Sequence, residues 1–285
     1  VDILVEDDVA AVETARKYLS YFQGPLDTWA AHDQRLLRHA VPRNRKASYD
    51  IRDVINVVAD QDSFLELRSG FGRAMVAGLV RIEGVPFGVI ANNPMVLGGA
   101  IDSDAADKAA RLMQLCDAHG LPILSLCDTP GNMIGPVAER TGLVRHCSRP
   151  FVVGANLTVP VFAVLVRKAY GLGRQSMLGG SMRAPNFTVA WPGAEYGSMG
   201  LEGQVKAGRK RELEAIADPE ERETAFRGMV DKLFAKAQAV NAATTFSIDE
   251  VLDPAETREW LISGIRSLAP EALAKRERRS HIDTW

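Results

Sequence analysis

The sequence predicts an α/β fold built on a layered, largely parallel sheet. Two observations carry that prediction. Short apolar strands rich in β-branched residues end in Gly-containing turns, and stretches with a 3.6-residue apolar period follow those turns as crossover helices. At 285 residues, with 46% hydrophobic and 25% charged side chains, the chain can hold one large or two small domains of ordinary soluble composition. A net charge of −2 gives no bulk electrostatic support for nucleic-acid binding, and no apolar run is long enough to cross a bilayer. Cys116, Cys127 and Cys147 form no C-x-x-C pair, which points away from zinc and disulfides and toward a reducing compartment.

The chain begins at Val1 rather than Met, which suggests one piece of a larger polypeptide. Residues 8 to 22 form an amphipathic helix, with Ala11, Ala15, Tyr18, Leu19 and Phe22 on one face and acids at its start. Gly24-Pro25 stops it, and the polar, basic run to Lys46 reads as a linker, so that a compact domain starts near Tyr49. Asp50 caps a short helix, and Phe64 to Leu67 is a short strand. Met75 to Ile82 and Val85 to Ala91 pair as a hairpin through Glu83-Gly84. After Gly98-Gly99, a helix opens at Ser103 among acids and ends at Gly120.

Leu121 to Cys127 is the next strand, Asp128 to Gly131 a turn, and residues 139 to 155 a helical region interrupted by Pro150. Val161 to Val166 is a buried strand closed by Arg167-Lys168, and a Gly-rich bend precedes a short helix near Gln175. Phe187 to Trp191 is a further strand. Beyond Gly203 the chain turns helical, with a stripe from Phe226 to Val240 that must lie against another surface. Asp253-Pro254-x-Glu256 starts the last helix. The basic runs Arg209 to Arg211 and Lys275 to Arg279 read as solvated.

Three readings compete for Gly171-Leu172-Gly173. It can be a plain strand-to-helix connection, a degenerate dinucleotide fingerprint with Ser176 in place of the last glycine, or an oxyanion hole made by free amides at a helix start. The rest of the inventory lacks a G-x-S-x-G elbow, a Walker A loop and any metal-ligand spacing among the five histidines; His146 reads as structural. What it supplies instead is a set of Gly-containing strand ends, Gly98-Gly99, Pro130-Gly131 and Gly171 to Gly173, rich in backbone donors.

Several stretches together resemble the carboxyltransferase (beta) subunits of biotin-dependent acyl-CoA carboxylases, in their C-terminal half. They are YDIRDVI from Tyr49, NNPMVLGGAID from Asn92, KAARLMQLCDAHGLP from Lys108, DTPG from Asp128, RKAYG from Arg167 and AWPGAEYGSMGLEG from Ala190. The resemblance implies a crotonase-like fold, a repeated ββα superhelix with C-terminal helices. It implies that residues 1–46 are the helix and linker left from the preceding N-terminal half, and that 47–285 are the carboxybiotin-side domain. The implied reaction moves a carboxyl group from carboxybiotin to the α-carbon of an acyl-CoA of the acetyl or propionyl class.

By the same resemblance the oxyanion hole for the biotin oxygen falls on the amides of Leu172 and Gly173, with Tyr170, Gly171, Gln175, Pro130, Gly131 and Asn132 around the biotin or substrate. Leu172, Gly173, Gln175 and Asn132 depart from the residues usual in that motif. The implied partners are the N-terminal half, a biotin carboxylase and a biotin carrier, in a homo-oligomer (a dimer or trimer of dimers) in the cytoplasm, mitochondrial matrix or plastid. A biotin-dependent decarboxylase and a catalytically silent assembly subunit are the alternatives.

Overall fold

A computed structural model describes residues 1–268 and 282–283. Helix α1 (Asp8–Ser20) starts at Asp7, whose carboxylate accepts from the Ala10 amide. The expected linker is not a free connector. It carries α2 (Leu37–Ala40), whose Leu37 is fully buried, while Arg38 pairs with Asp253 and Arg45 with Glu195 and Glu202. Its apolar and basic residues thus find partners that only tertiary packing supplies.

Asp50 caps α3 (Ile51–Val58), as expected, and β1 (Leu65–Glu66) follows. The hairpin of β2 (Met75–Ile82) and β3 (Val85–Asn92) is antiparallel, with Ile82 opposite Val85. Asp102 caps α4 (Ser103–His119), which closes at Gly120. After β4 (Ile123–Thr129) the expected single helical region is two helices, α5 (Pro136–Glu139) and α6 (Leu143–Gly154). The break falls at Gly142, and Pro150 sits buried inside α6 rather than interrupting it.

Strand β5 (Val161–Tyr170) runs four residues past its expected end, and α7 (Gly171–Met177) begins at Gly171 rather than near Gln175. The remaining elements are β6 (Phe187–Ala190), β7 (Glu195–Gly197), α8 (Leu201–Gly208), α9 (Lys210–Glu214), α10 (Pro219–Ala237), α11 (Ala239–Thr244), β8 (Glu250–Val251) and α12 (Thr257–Ser267). The stripe from Phe226 is cut at Gln238, and Val240 is exposed. Its Val230, Leu233 and Phe234 pack against Tyr170, Leu201 and Ala237 of this same chain. Lys275 to Arg279 lie outside the described residues.

The sheet order is β1-β2-β3-β4-β5-β6-β8, parallel from β3 onward, with β7 also paired to β5. Strand β5 therefore has neighbours on both edges, and its side chains alternate between two cores. Ala163, Leu165 and Ala169 pack with α4 and α6 residues; Phe162, Val164 and Val166 pack with α3 and α12 residues. Each large side chain buried this way contributes about 1.5 to 3 kcal/mol. Among the described residues no helix is long and apolar enough to cross a membrane.

Candidate active site

The three Gly-containing strand ends meet. A Cβ on Gly99 would lie 2.2 Å from the Asp128 carbonyl oxygen, and one on Gly173 would lie 2.7 Å from the Gly131 Cα. Ile101 donates its amide to the Gly131 carbonyl (3.0 Å), and Met133 donates back to Ile101 (2.8 Å). The loop after β3, the loop after β4 and the start of α7 are thus packed backbone to backbone. That contact is closed to any residue larger than glycine.

The turn into α7 depends on Gly171. Tyr170 is extended (φ −118°, ψ 142°), and Gly171 at φ +57° swings the chain into the helix. Gly173 has no such conformation; its requirement is the close approach to Gly131. Leu172 also lies outside the left-handed region, so its side chain does not strain the backbone, and it stands 60% exposed. The first amides of a helix have no acceptor within it, and no side chain caps α7. Leu172 and Gly173 therefore present adjacent N–H donors at the helix start, where partial positive charge concentrates.

A buried ionic network fixes the strand ends beneath these loops. Asp128, fully buried, accepts from Tyr49 Oη (2.8 Å), Arg167 Nε (3.0 Å) and the Lys168 amide (3.1 Å). Arg167 also donates to the Ala47 carbonyl (2.7 Å) and lies over the Tyr49 ring. Burial first, then the Asp128 charge, drives the Tyr49 hydroxyl far above its ordinary pKa. Lys168 donates to the Gly98 carbonyl (3.2 Å), and burial lowers its pKa. The pairing of Arg167 with Asp128 lets β5 continue through Arg167, a charged residue expected to end it.

A second network holds the other side. Tyr170 is 1% exposed, and its hydroxyl donates to Glu195, itself fully buried. Arg45 grips Glu195 through Nε (2.8 Å) and Nη2 (2.9 Å) and reaches Glu202 through Nη1 (2.8 Å). Those bonds raise the Arg45 pKa, Glu195 first, and the Tyr170 pKa is raised by burial and then by Glu195. Arg174 lies over the Tyr196 ring at 3.9 Å and donates to the Gly197 carbonyl (3.1 Å); burial lowers its pKa.

Of the residues singled out from the sequence, Gly131, Asn132, Gly171, Leu172 and Gly173 are brought together, with Pro130 exposed at the same loop and Gln175 half-buried on α7. The Asn132 side-chain oxygen is buried without a hydrogen-bond partner among the described residues. Tyr170 is adjacent in the chain, but its side chain turns away to Glu195. Asp128, Arg167, Tyr49, Glu195 and Arg45 were not singled out. Asp128 and Arg167 carry a faint signal, as charged residues at the ends of apolar runs where a buried ion pair can sit, whereas nothing local marks Tyr49, Glu195 or Arg45. Burial pushes the Cys127 thiol up to about 12, which keeps it protonated and inert. His146 pairs with Asp107 (2.8 Å) between α6 and α4, a structural contact.

The chain is thus an α/β protein with a parallel-rich sheet, whose glycine-bearing strand ends converge on the uncapped amides at the start of α7. The model of the carboxyl transferase domain matches residues 1–282, and the chain belongs to that family. Its fold is crotonase-like, as in the structural relatives.

The chain is 33% identical over 283 residues to the methylmalonyl-CoA carboxyltransferase 12S subunit of Propionibacterium freudenreichii subsp. shermanii, covering 94% of this chain and 52% of that one. It is 39% identical over 233 residues to the uncharacterized carboxylase YngE of Bacillus subtilis (strain 168), covering 79% and 45%. Among solved structures, a single-chain, multi-domain long-chain acyl-CoA carboxylase superposes with a TM-score of 0.87 at 50% identity, over 92% of this chain and 26% of that one. The hexameric transcarboxylase 12S core superposes with a TM-score of 0.83 at 30% identity. The chain spans about half the length of the curated relatives it matches.

Proposed function

We propose that the chain is the carboxybiotin-side part of a biotin-dependent acyl-CoA carboxyltransferase, which moves a carboxyl group from carboxybiotin to the α-carbon of an acyl-CoA. One observation carries the reading: Leu172 and Gly173 aim uncapped amides from a helix start that is locked against Gly131. Two neighbouring N–H groups suit a carbonyl oxygen that gains negative charge during the reaction, and they cost no reorganisation at that moment. The biotin ureido group fits this donor set. When bound, it supplies the carboxyl group and a basic nitrogen.

The chain's own part is positional. Leu172 and Gly173 hold the oxygen, the Gly131–Asn132 loop bounds the site, and the Asp128–Arg167 and Glu195–Arg45 networks keep β4, β5 and α7 in register. No side-chain acid or base is required of them. We place residues 1–46 as the tail of a preceding half that holds the acyl-CoA, and residues 47–285 as the domain that holds carboxybiotin. The carboxylase, carrier and oligomer partners, and a cytoplasmic or organellar matrix setting, follow from the same reading. The 50% identity to a long-chain acyl-CoA carboxylase supports testing long acyl chains beside acetyl and propionyl.

The experiment is carboxyl transfer by the full-length protein with a biotinylated carrier and its biotin carboxylase, across acyl-CoAs of increasing length. Transfer that avidin abolishes is the expected result. Turnover that survives avidin would overturn the reading.

A further inference from the structure

A cavity of about 410 Å³ lies between α1, the β1–β2 edge of the sheet and α4. Its lining is mostly apolar, with Ile3, Val5, Leu67, Leu112 and Leu115 among its walls. Lys108 of α4 also lines it. That residue is 2% exposed, and its Nζ is buried without a hydrogen-bond partner among the described residues. A lone buried ammonium is costly, and proteins keep such groups paired or put them to use. Two other cations reach the cavity, but both are engaged: Arg68 with Asp2 (2.6 Å) and Arg111 with the Asp283 carbonyl (2.5 Å). Burial pushes the Lys108 pKa down to about 8, with Arg52 and Arg68 adding to the fall and Glu66 opposing it.

We propose that this cavity binds a free aliphatic monocarboxylate, its carboxylate on the Lys108 ammonium and its chain along the apolar wall. An anion answers the unpartnered cation, and the apolar lining answers a hydrocarbon chain. The free acid is preferred over a thioester, whose carbonyl carries no charge to pair with Lys108. The volume is that of a small-molecule pocket and accommodates a chain of roughly eight carbons. The site is separate from the strand-end site: they share no residue, and β3 and β4 stand between β2 and β5. Because α1 forms one wall and α4 another, an occupant ties α1 to the sheet.

The test is calorimetric titration of the full-length protein with hexanoate, octanoate and octanol. One saturable site is expected, tightening about fourfold per added methylene, with octanol at least tenfold weaker than octanoate. Lys108→Met, verified as folded by circular dichroism, removes the difference between acid and alcohol. Ala15→Trp, which fills the cavity from α1 and keeps Lys108, abolishes binding of both. Absence of saturable octanoate binding, equal binding of acid and alcohol, or retained preference in Lys108→Met overturns the proposal. None of these outcomes bears on carboxyl transfer, since no strand-end residue is varied.

Discussion

Gly173 stands so close to Gly131 that a methyl group on the first would sit 2.7 Å from the Cα of the second. Gly173→Ala must therefore displace α7 or the Gly131 loop. The expected outcome is a loss of at least tenfold in carboxyl transfer and about 1 to 3 kcal/mol of stability. Initial rates and urea melts on the same preparation measure both.

Leu172→Ala is the matched control. The side chain is exposed, and the backbone is not in the left-handed region. Stability is expected to hold within about 0.5 kcal/mol and transfer within about twofold. A larger fall than in Gly173→Ala would show that the Leu172 side chain, not its amide, is what the site uses.

Asp128→Asn leaves the buried Arg167 guanidinium without its counter-charge. Breaking such a pair from one side costs about 3 to 5 kcal/mol. The double variant Asp128→Asn with Arg167→Met should recover part of that loss, because no uncompensated charge remains. Denaturant midpoints for the two single variants and the double one decide it.

Arg45→Ala removes the bidentate partner of the fully buried Glu195, whereas Tyr170→Phe removes a single hydroxyl donor. The arginine change is expected to cost about 3 to 5 kcal/mol and the tyrosine change about 1 kcal/mol. Thermal melts that ranked them in the opposite order would contradict the network's geometry.

Lys108 gives a pH signature. Folded, it releases its proton at about 8; unfolded, it keeps it to its ordinary 10.5. Between those values the unfolded state binds more protons, so its contribution makes stability rise with pH; below about 8 both states hold the proton and the dependence vanishes. Lys108→Met should flatten the rise and add about 1 to 3 kcal/mol at neutral pH by removing an unpaired buried polar group. Urea melts from pH 7 to 10 on both proteins report it.

The sequence by itself determined the elements whose causes are local. Short apolar runs marked the hairpin, β4 and β6; the acidic cap at Asp50, the acids around Ser103 and the stop at Gly120 bounded two helices; and the glycine loops marked every segment that converges on the candidate site. The tertiary structure decided what depends on partners far along the chain. Strand β5 passes through Arg167 because Asp128, 39 residues earlier, neutralises it. The stretch before Tyr49 is docked because Arg45 meets Glu195, 150 residues later. The stripe on α10 finds its surface at Tyr170 and Leu201. Local periodicity reports which face of an element is apolar, but Arg167 and Glu195 are buried beside counter-charges that lie far away in the chain. That pairing exists only once the chain has closed on itself.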